Sequence, residues 1–203
     1  MSTGEPARSE VPAFYYDLSS PYAYLASLRV DDVLPVTPRW VPIVFGVLLR
    51  EIRRTPWSLR EGEREAGQDE VASRARERGL PEMRWPQGWP AESYSVLPLR
   101  ALVWTQQQDA NQAKALTRAL YEIVFAQGRP LGEIATVREA AQASGLDAGA
   151  LEAGLEREEV KAALRANTAE ALARGVTGIP TVAVGDALFW GDDRLEEAAA
   201  AFG

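Results

Sequence analysis

The residues able to do chemistry concentrate in two stretches, "DLSSPYAY" at 17–24 and "GIPTVAVGDALFWGDD" at 178–193. In the first, two hydroxyls stand directly before a proline. Proline suits the first position of a helix, where its fixed φ fits and its missing N–H is not needed. Ser20 then falls at the N-cap, where its oxygen can accept a backbone N–H. The same position can serve a ligand. A helix N-terminus carries unpaired N–H groups and the positive end of a dipole. A hydroxyl there can donate to a bound thiolate and hold its pKa down. Ser20 is therefore a cap or a holder of sulfur, and both readings stand at this point. It is not an activated nucleophile, because the chain has no His.

The absences exclude whole chemistries. With no Cys, disulfide exchange, thiolate catalysis by the chain itself and iron–sulfur clusters are ruled out. Without Cys or His, only carboxylates remain as strong metal ligands, and no metal site is expected. The net charge of −7 disfavours nucleic acid and anionic membrane as partners. The N-terminal "MSTGEPARSEVPAF" lacks the apolar run of a secretory signal, and nothing approaches the roughly 18 apolar residues of a membrane span. A cytoplasmic protein is the expectation.

In the second stretch, Ile179 and Pro180 open an apolar run in the manner of a cis-proline turn, although X–Pro bonds are cis only about 5–6% of the time. If that bond is cis, the Ile179 backbone is open to pair with a peptide-like ligand by β-augmentation. Asp192 and Asp193 read as the acidic first turn of a last helix. In a functional reading, that helix start and Asp193 receive the carboxylate and amino group of a zwitterionic ligand. Trp190 reads as packing. The clusters "REIRR" (50–54) and "RARER" (74–78) read as solvated helix faces with i, i+4 pairs. The loop "RWPQGWP" (84–90) walls an apolar pocket or caps the helices beside it.

These stretches need elements to hold them. Residues 13–16, "AFYY", form a buried strand that Asp17 ends. The helix after Pro21 carries Tyr24, Leu25, Leu28 and Val33 on one face and stops at Pro35. "RWVPIVFGVLL" (39–49) is a second β-rich run, near an edge because of Pro42. From about Leu48 to Arg174 the chain is helical, with Leu116, Leu120, Ile123 and Val124 at i, i+4, i+7 and i+8. "IPTVAVGDALFWG" is a hairpin turned at Gly185-Asp186, and Leu195, Ala198, Ala199 and Phe202 mark a final helix. This order predicts an α/β protein: a thioredoxin-like fold with an inserted all-helical domain. The expected divisions are a flexible tail over 1–11, a thioredoxin-like domain over 12–47 and 160–203, and the insertion over 48–159.

"FYYDLSSPYAYLA", "GVTGIPTVAVGDALFWGDDRL" and the helical block between them resemble the DsbA-like thioredoxin superfamily, in its branch of 2-hydroxychromene-2-carboxylate isomerases and kappa-class glutathione transferases. Disulfide-active relatives carry Cys-x-x-Cys where this chain reads Ser20-Pro21-Tyr22-Ala23, so dithiol redox chemistry is excluded. The resemblance implies an enzyme using glutathione, or another low-molecular-weight thiol, as cofactor. It implies that Ser20 holds the sulfur, that the Ile179 backbone, before Pro180, pairs with the cysteinyl unit, and that Asp192 and Asp193 hold the γ-glutamyl end. It further implies an aromatic or unsaturated acid as substrate, and a homodimer. A kappa-like transferase, or a non-redox relative binding a peptide or another thiol, is the alternative. Two departures stand out. A second charge at Asp192 is unfavourable beside a ligand carboxylate. Residues 50–64 also lack the family's Gly-Asn and Lys, with Arg60 or Arg64 as the candidate cation.

Overall fold

The computed structural model describes residues 11–202, so the tail expected over 1–11 lies, apart from Val11, outside the described residues. Four strands form one mixed sheet: β1 (Ala13–Tyr16), β2 (Arg39–Pro42), β3 (Thr181–Val184) and β4 (Ala187–Trp190), in the order β2-β1-β3-β4. β1 runs parallel to β2 and antiparallel to β3, with Phe14 level with Trp40 on one side and Val182 on the other. A parallel pair needs a crossover, and α1 (Pro21–Ser27) with the short α2 (Val30–Val33) supplies it.

Because β1 has a strand on each edge and a core on each face, all four of its residues are buried. Phe14 and Tyr16 enter one core with Trp40 and Val182, while Ala13 and Tyr15 enter the other with Val41 and Ala183. Such a strand reads as an unbroken apolar run. Pro42 lies on the edge strand β2, where a missing donor is tolerated.

The β-rich run expected to 49 ends early. After Pro42 the chain turns into α3 (Phe45–Glu51), which buries Leu48 and Leu49. A short apolar run does not reveal by period alone whether it is strand or helix. Its start is supported from outside: Phe45 N–H donates to Asp17 Oδ2 at 2.8 Å and Val44 N–H to Thr168 Oγ1 at 3.0 Å.

The helical stretch comprises a 3₁₀ turn (Trp57–Leu59), α4 (Arg64–Glu77), α5 (Val96–Gln106), α6 (Ala110–Tyr121), a π-helical turn (Glu122–Ala126), α7 (Ile134–Ala143), α8 (Ala148–Leu155) and α9 (Glu158–Ala173); α10 (Leu195–Ala200) follows the hairpin. Leu116, Leu120, Ile123 and Val124 all face the core, the last two from the π turn. The Tyr16 and Thr117 hydroxyls meet at 3.0 Å, and Tyr121 Oη donates to the Asp17 carbonyl at 3.0 Å. These contacts seat α6 against the end of β1. The observed fold is the expected α/β, thioredoxin-like one carrying a helical insertion.

Candidate functional site

Ser20 is the N-cap of α1, with extended backbone (φ −95°, ψ 118°), and its Oγ accepts from Ala23 N at 3.2 Å. Its own hydroxyl proton has no acceptor among the described residues. The side chain is thus a cap and retains one donor to spend. That donor borders a cavity of about 550 Å³, within the usual range of small-molecule sites.

Ile179, Asp192 and Asp193 line the same cavity as Ser20. Pro180 is buried behind Ile179, and the bond between the two is cis. The Pro180 carbonyl accepts from Gly191 N–H at 2.9 Å, tying this turn to the end of β4. Neither the N–H nor the carbonyl of Ile179 is hydrogen-bonded to a described residue. One position earlier, Gly178 lies under the Trp190 indole. A Cβ there would come within 2.3 Å of the ring, so only glycine allows the approach. Trp190 is therefore part of the rim of the site, not simple packing.

Asp192 and Asp193 precede the final helix and do not form its first turn, which holds Glu196 and Glu197. Asp192 is fully buried. Arg74 Nη1 donates to its Oδ1 at 2.6 Å and Arg78 Nη1 to its Oδ2 at 2.5 Å. The expectation that "RARER" is a solvated face is corrected here, since Arg74 and Arg78 cross to this carboxylate. The objection to a second negative charge at Asp192 is met as well, because two guanidinium groups offset it. Arg74 further meets Glu70 at 2.5 Å and Asp193 at 3.5 Å. Partial burial works against its charge, but Asp192, Glu70 and Asp193 together raise its pKa. Asp193 is 55% exposed and lines the cavity.

Asp17 is a site residue that its sequence position, read as a strand stop, did not disclose. It lines the cavity yet is fully buried, and three elements converge on it. Ser19 N–H reaches Oδ1 at 2.9 Å, while Phe45 N–H and Ser95 Oγ reach Oδ2 at 2.8 and 3.0 Å. Ser95 stands at the start of α5 without capping it, its hydroxyl being given to Asp17. Burial pushes the Asp17 carboxyl above its ordinary value, against the pull of these donors. A charged residue closing an otherwise apolar strand, next to Ser-Ser-Pro, was the available signal.

An aromatic wall completes the site. Tyr22 packs edge-on against Trp57 with centroids 5.9 Å apart, Trp57 lies 5.6 Å from Trp89, and Trp89 lies 4.7 Å from Trp85. Trp89 Nε1 donates to the Ser19 carbonyl at 3.3 Å. Of the two offices expected for the "RWPQGWP" loop, Trp89 and Pro90 take the first and wall the cavity. Tyr22 Oη donates to Glu70 Oε2 at 3.1 Å, and burial beside Glu70 raises its phenol pKa. Arg60 also lines the cavity but is spent on Glu63 and the Thr55 carbonyl, whereas Arg64 is turned to the Ser58 carbonyl and does not line it.

The chain is 28% identical over 197 residues to a 2-hydroxychromene-2-carboxylate isomerase of Sphingobium xenophagum, covering 90% of this chain and 93% of the relative. It is 26% identical over 204 residues to glutathione S-transferase kappa 2 of Caenorhabditis elegans, covering 94% and 90%. A solved 2-hydroxychromene-2-carboxylate isomerase superposes with a TM-score of 0.82 at 22% identity, over 96% of this chain and 95% of that one, a likeness of fold. The sequence model of the DSBA-like thioredoxin domain matches residues 13–203. A thioredoxin-like sheet with a helical insertion is thus placed by the match over residues 13–203: the chain belongs to the DSBA-like thioredoxin domain family.

Proposed function

We propose that the cavity binds glutathione, or another low-molecular-weight thiol, with its sulfur at Ser20, and that the protein is a thiol-dependent isomerase acting on an aromatic or other unsaturated acid. The uncommitted hydroxyl proton of Ser20, facing the same cavity as the unpaired Ile179 backbone, carries this reading. The residues present fit a thiol peptide. Ser20 offers one donor to a thiolate, Ile179 offers a backbone donor and acceptor, and the exposed carboxylate of Asp193 suits an ammonium group. Asp192 contributes indirectly, by fixing Arg74 beside Asp193. A bound thiol would supply a nucleophile that adds reversibly to an unsaturated substrate. The chain's part is to hold the sulfur ionised, to orient the partner against Tyr22, Trp57 and Trp89, and to exclude water. No helix among the described residues is long and apolar enough to cross a membrane. The division of the chain at 48 and 160, the cytoplasmic setting and the homodimer belong to the same proposal.

The kinship with a kappa glutathione transferase favours, as second reading, a transferase in which addition is not reversed. A calorimetric titration with reduced glutathione, combined with thiolate absorbance against pH, tests the thiol itself. The expected result is a bound thiol pKa below the free value of about 8.5, returning upward in Ser20→Ala. No binding at millimolar glutathione, or an unchanged thiol pKa in Ser20→Ala, would sink the reading.

A further inference from the structure

α3 ends in a left-handed turn at Arg53 (φ 53°), with Arg53 N–H on the Arg50 carbonyl at 3.2 Å and Arg54 N–H on the Leu49 carbonyl at 2.9 Å. This pair of bonds is a Schellman ending, a place usually taken by glycine, and a residue with a full side chain is disfavoured there. The turn delivers Arg54 to the rim of the cavity. There its guanidinium carbon lies 4.6 Å from the Trp190 ring centroid, and one N–H reaches the Thr177 carbonyl at 3.4 Å.

Three cations line the cavity, and two are already matched: Arg60 with Glu63, and Arg74 with Asp192, Glu70 and Asp193. Arg54 pairs with no carboxylate among the described residues, in a chain whose 29 acids outnumber its 22 bases. A guanidinium laid on an indole keeps its edge donors, which match a carboxylate in two parallel hydrogen bonds. Trp190 is itself held by the Gly178 backbone beneath it, so the stacking platform is fixed to the turn that presents Ile179.

We infer that Arg54, stacked on Trp190, is a carboxylate subsite of the cavity, set beside Ile179. The inference rests on the thiol reading above. The carboxylate belongs either to the C-terminus of a thiol peptide or to the unsaturated acid, and lysine is not equivalent to arginine at a stacked, two-pronged site.

The full chain, Arg54→Gln and Arg54→Lys are titrated calorimetrically with reduced glutathione, its glycyl ethyl ester, cinnamate and cinnamamide. The parent protein should bind at least one acid more tightly than its uncharged counterpart. Arg54→Gln should lose about ten- to a hundredfold in affinity for that acid alone, and Arg54→Lys should recover part of the loss. Loss confined to glutathione assigns the carboxylate to the thiol ligand, and loss confined to cinnamate assigns it to the substrate acid. The inference is overturned if the parent shows no preference for either acid, if Arg54→Gln binds both acids as before, or if it weakens charged and uncharged probes alike. Failure of the thiol reading shows separately, in Ser20→Ala, while the cinnamate pair still reports on Arg54.

Discussion

Arg74 Nη1 stands 2.6 Å from Asp192 Oδ1, although the two residues are 118 positions apart. With Arg78 on the other oxygen, the contact fastens α4 to the turn after β4. The arrangement predicts an asymmetry. In Asp192→Ala the two arginines, 24% and 22% exposed, can rehydrate, and the cost should be about 1–3 kcal/mol. In Arg74→Met with Arg78→Met the buried carboxylate is left alone, and the cost should be about 3–5 kcal/mol. Urea unfolding of both variants decides, and equal costs would contradict the account.

The two offices of Ser20 can be separated. Ser20→Ala should lose about 0.5–2 kcal/mol of stability, whereas Ser20→Gly, which glycine's tolerance at an N-cap makes mild, should lose only a few tenths. Both remove the hydroxyl, so both should raise the pKa of a bound thiol equally. A thiol pKa that tracks stability across the two variants would reduce Ser20 to a cap.

Gly178→Ala drives a methyl into the Trp190 indole. The expected loss is about 1–3 kcal/mol, and it should shrink in the background of Trp190→Leu, where the ring is gone. A double-mutant cycle with thermal unfolding measures the coupling. Additive losses would mean that Trp190 swings aside freely.

How much of this was legible depended on the range of the interaction. β1 was visible because burial on both faces makes "AFYY" a run of apolar and aromatic residues, and the hairpin because Gly185-Asp186 interrupts a largely apolar run. Pro21 marked Ser20 as a cap. Asp17 escaped notice because the partners that make it a junction come from Phe45 and Ser95 as well as its neighbour Ser19. Arg74 and Arg78, interleaved with glutamates, match a solvated helix locally, and nothing nearby points to Asp192. Arg54 depended on a left-handed Arg53, which no residue preference announces.

Asp17 carries a pH dependence of defined sign. Its folded pKa lies above the ordinary 3.8 because of burial, so the folded state binds this proton more tightly than the unfolded chain does. Its contribution is therefore fullest below about 3.8 and is lost as pH rises through the raised value. Asp17→Asn has no such titration, so the stability difference between parent and variant should narrow from about pH 4 upward. A difference that widens instead, in urea unfolding across that range, would show the three donors outweighing burial.

The Arg74–Arg78–Asp192 clamp also bears on how such a site diversifies over generations of substitution. Loss of both arginines would strand the buried Asp192 carboxylate, so across related chains an aspartate at that position should be inherited together with at least one of them. Yet a single exchange of Asp192 for a neutral residue of like size would leave the cavity's shape intact while adding one positive charge to its end wall. The end group that the pocket accepts could then change sign by one codon, with the fold untouched.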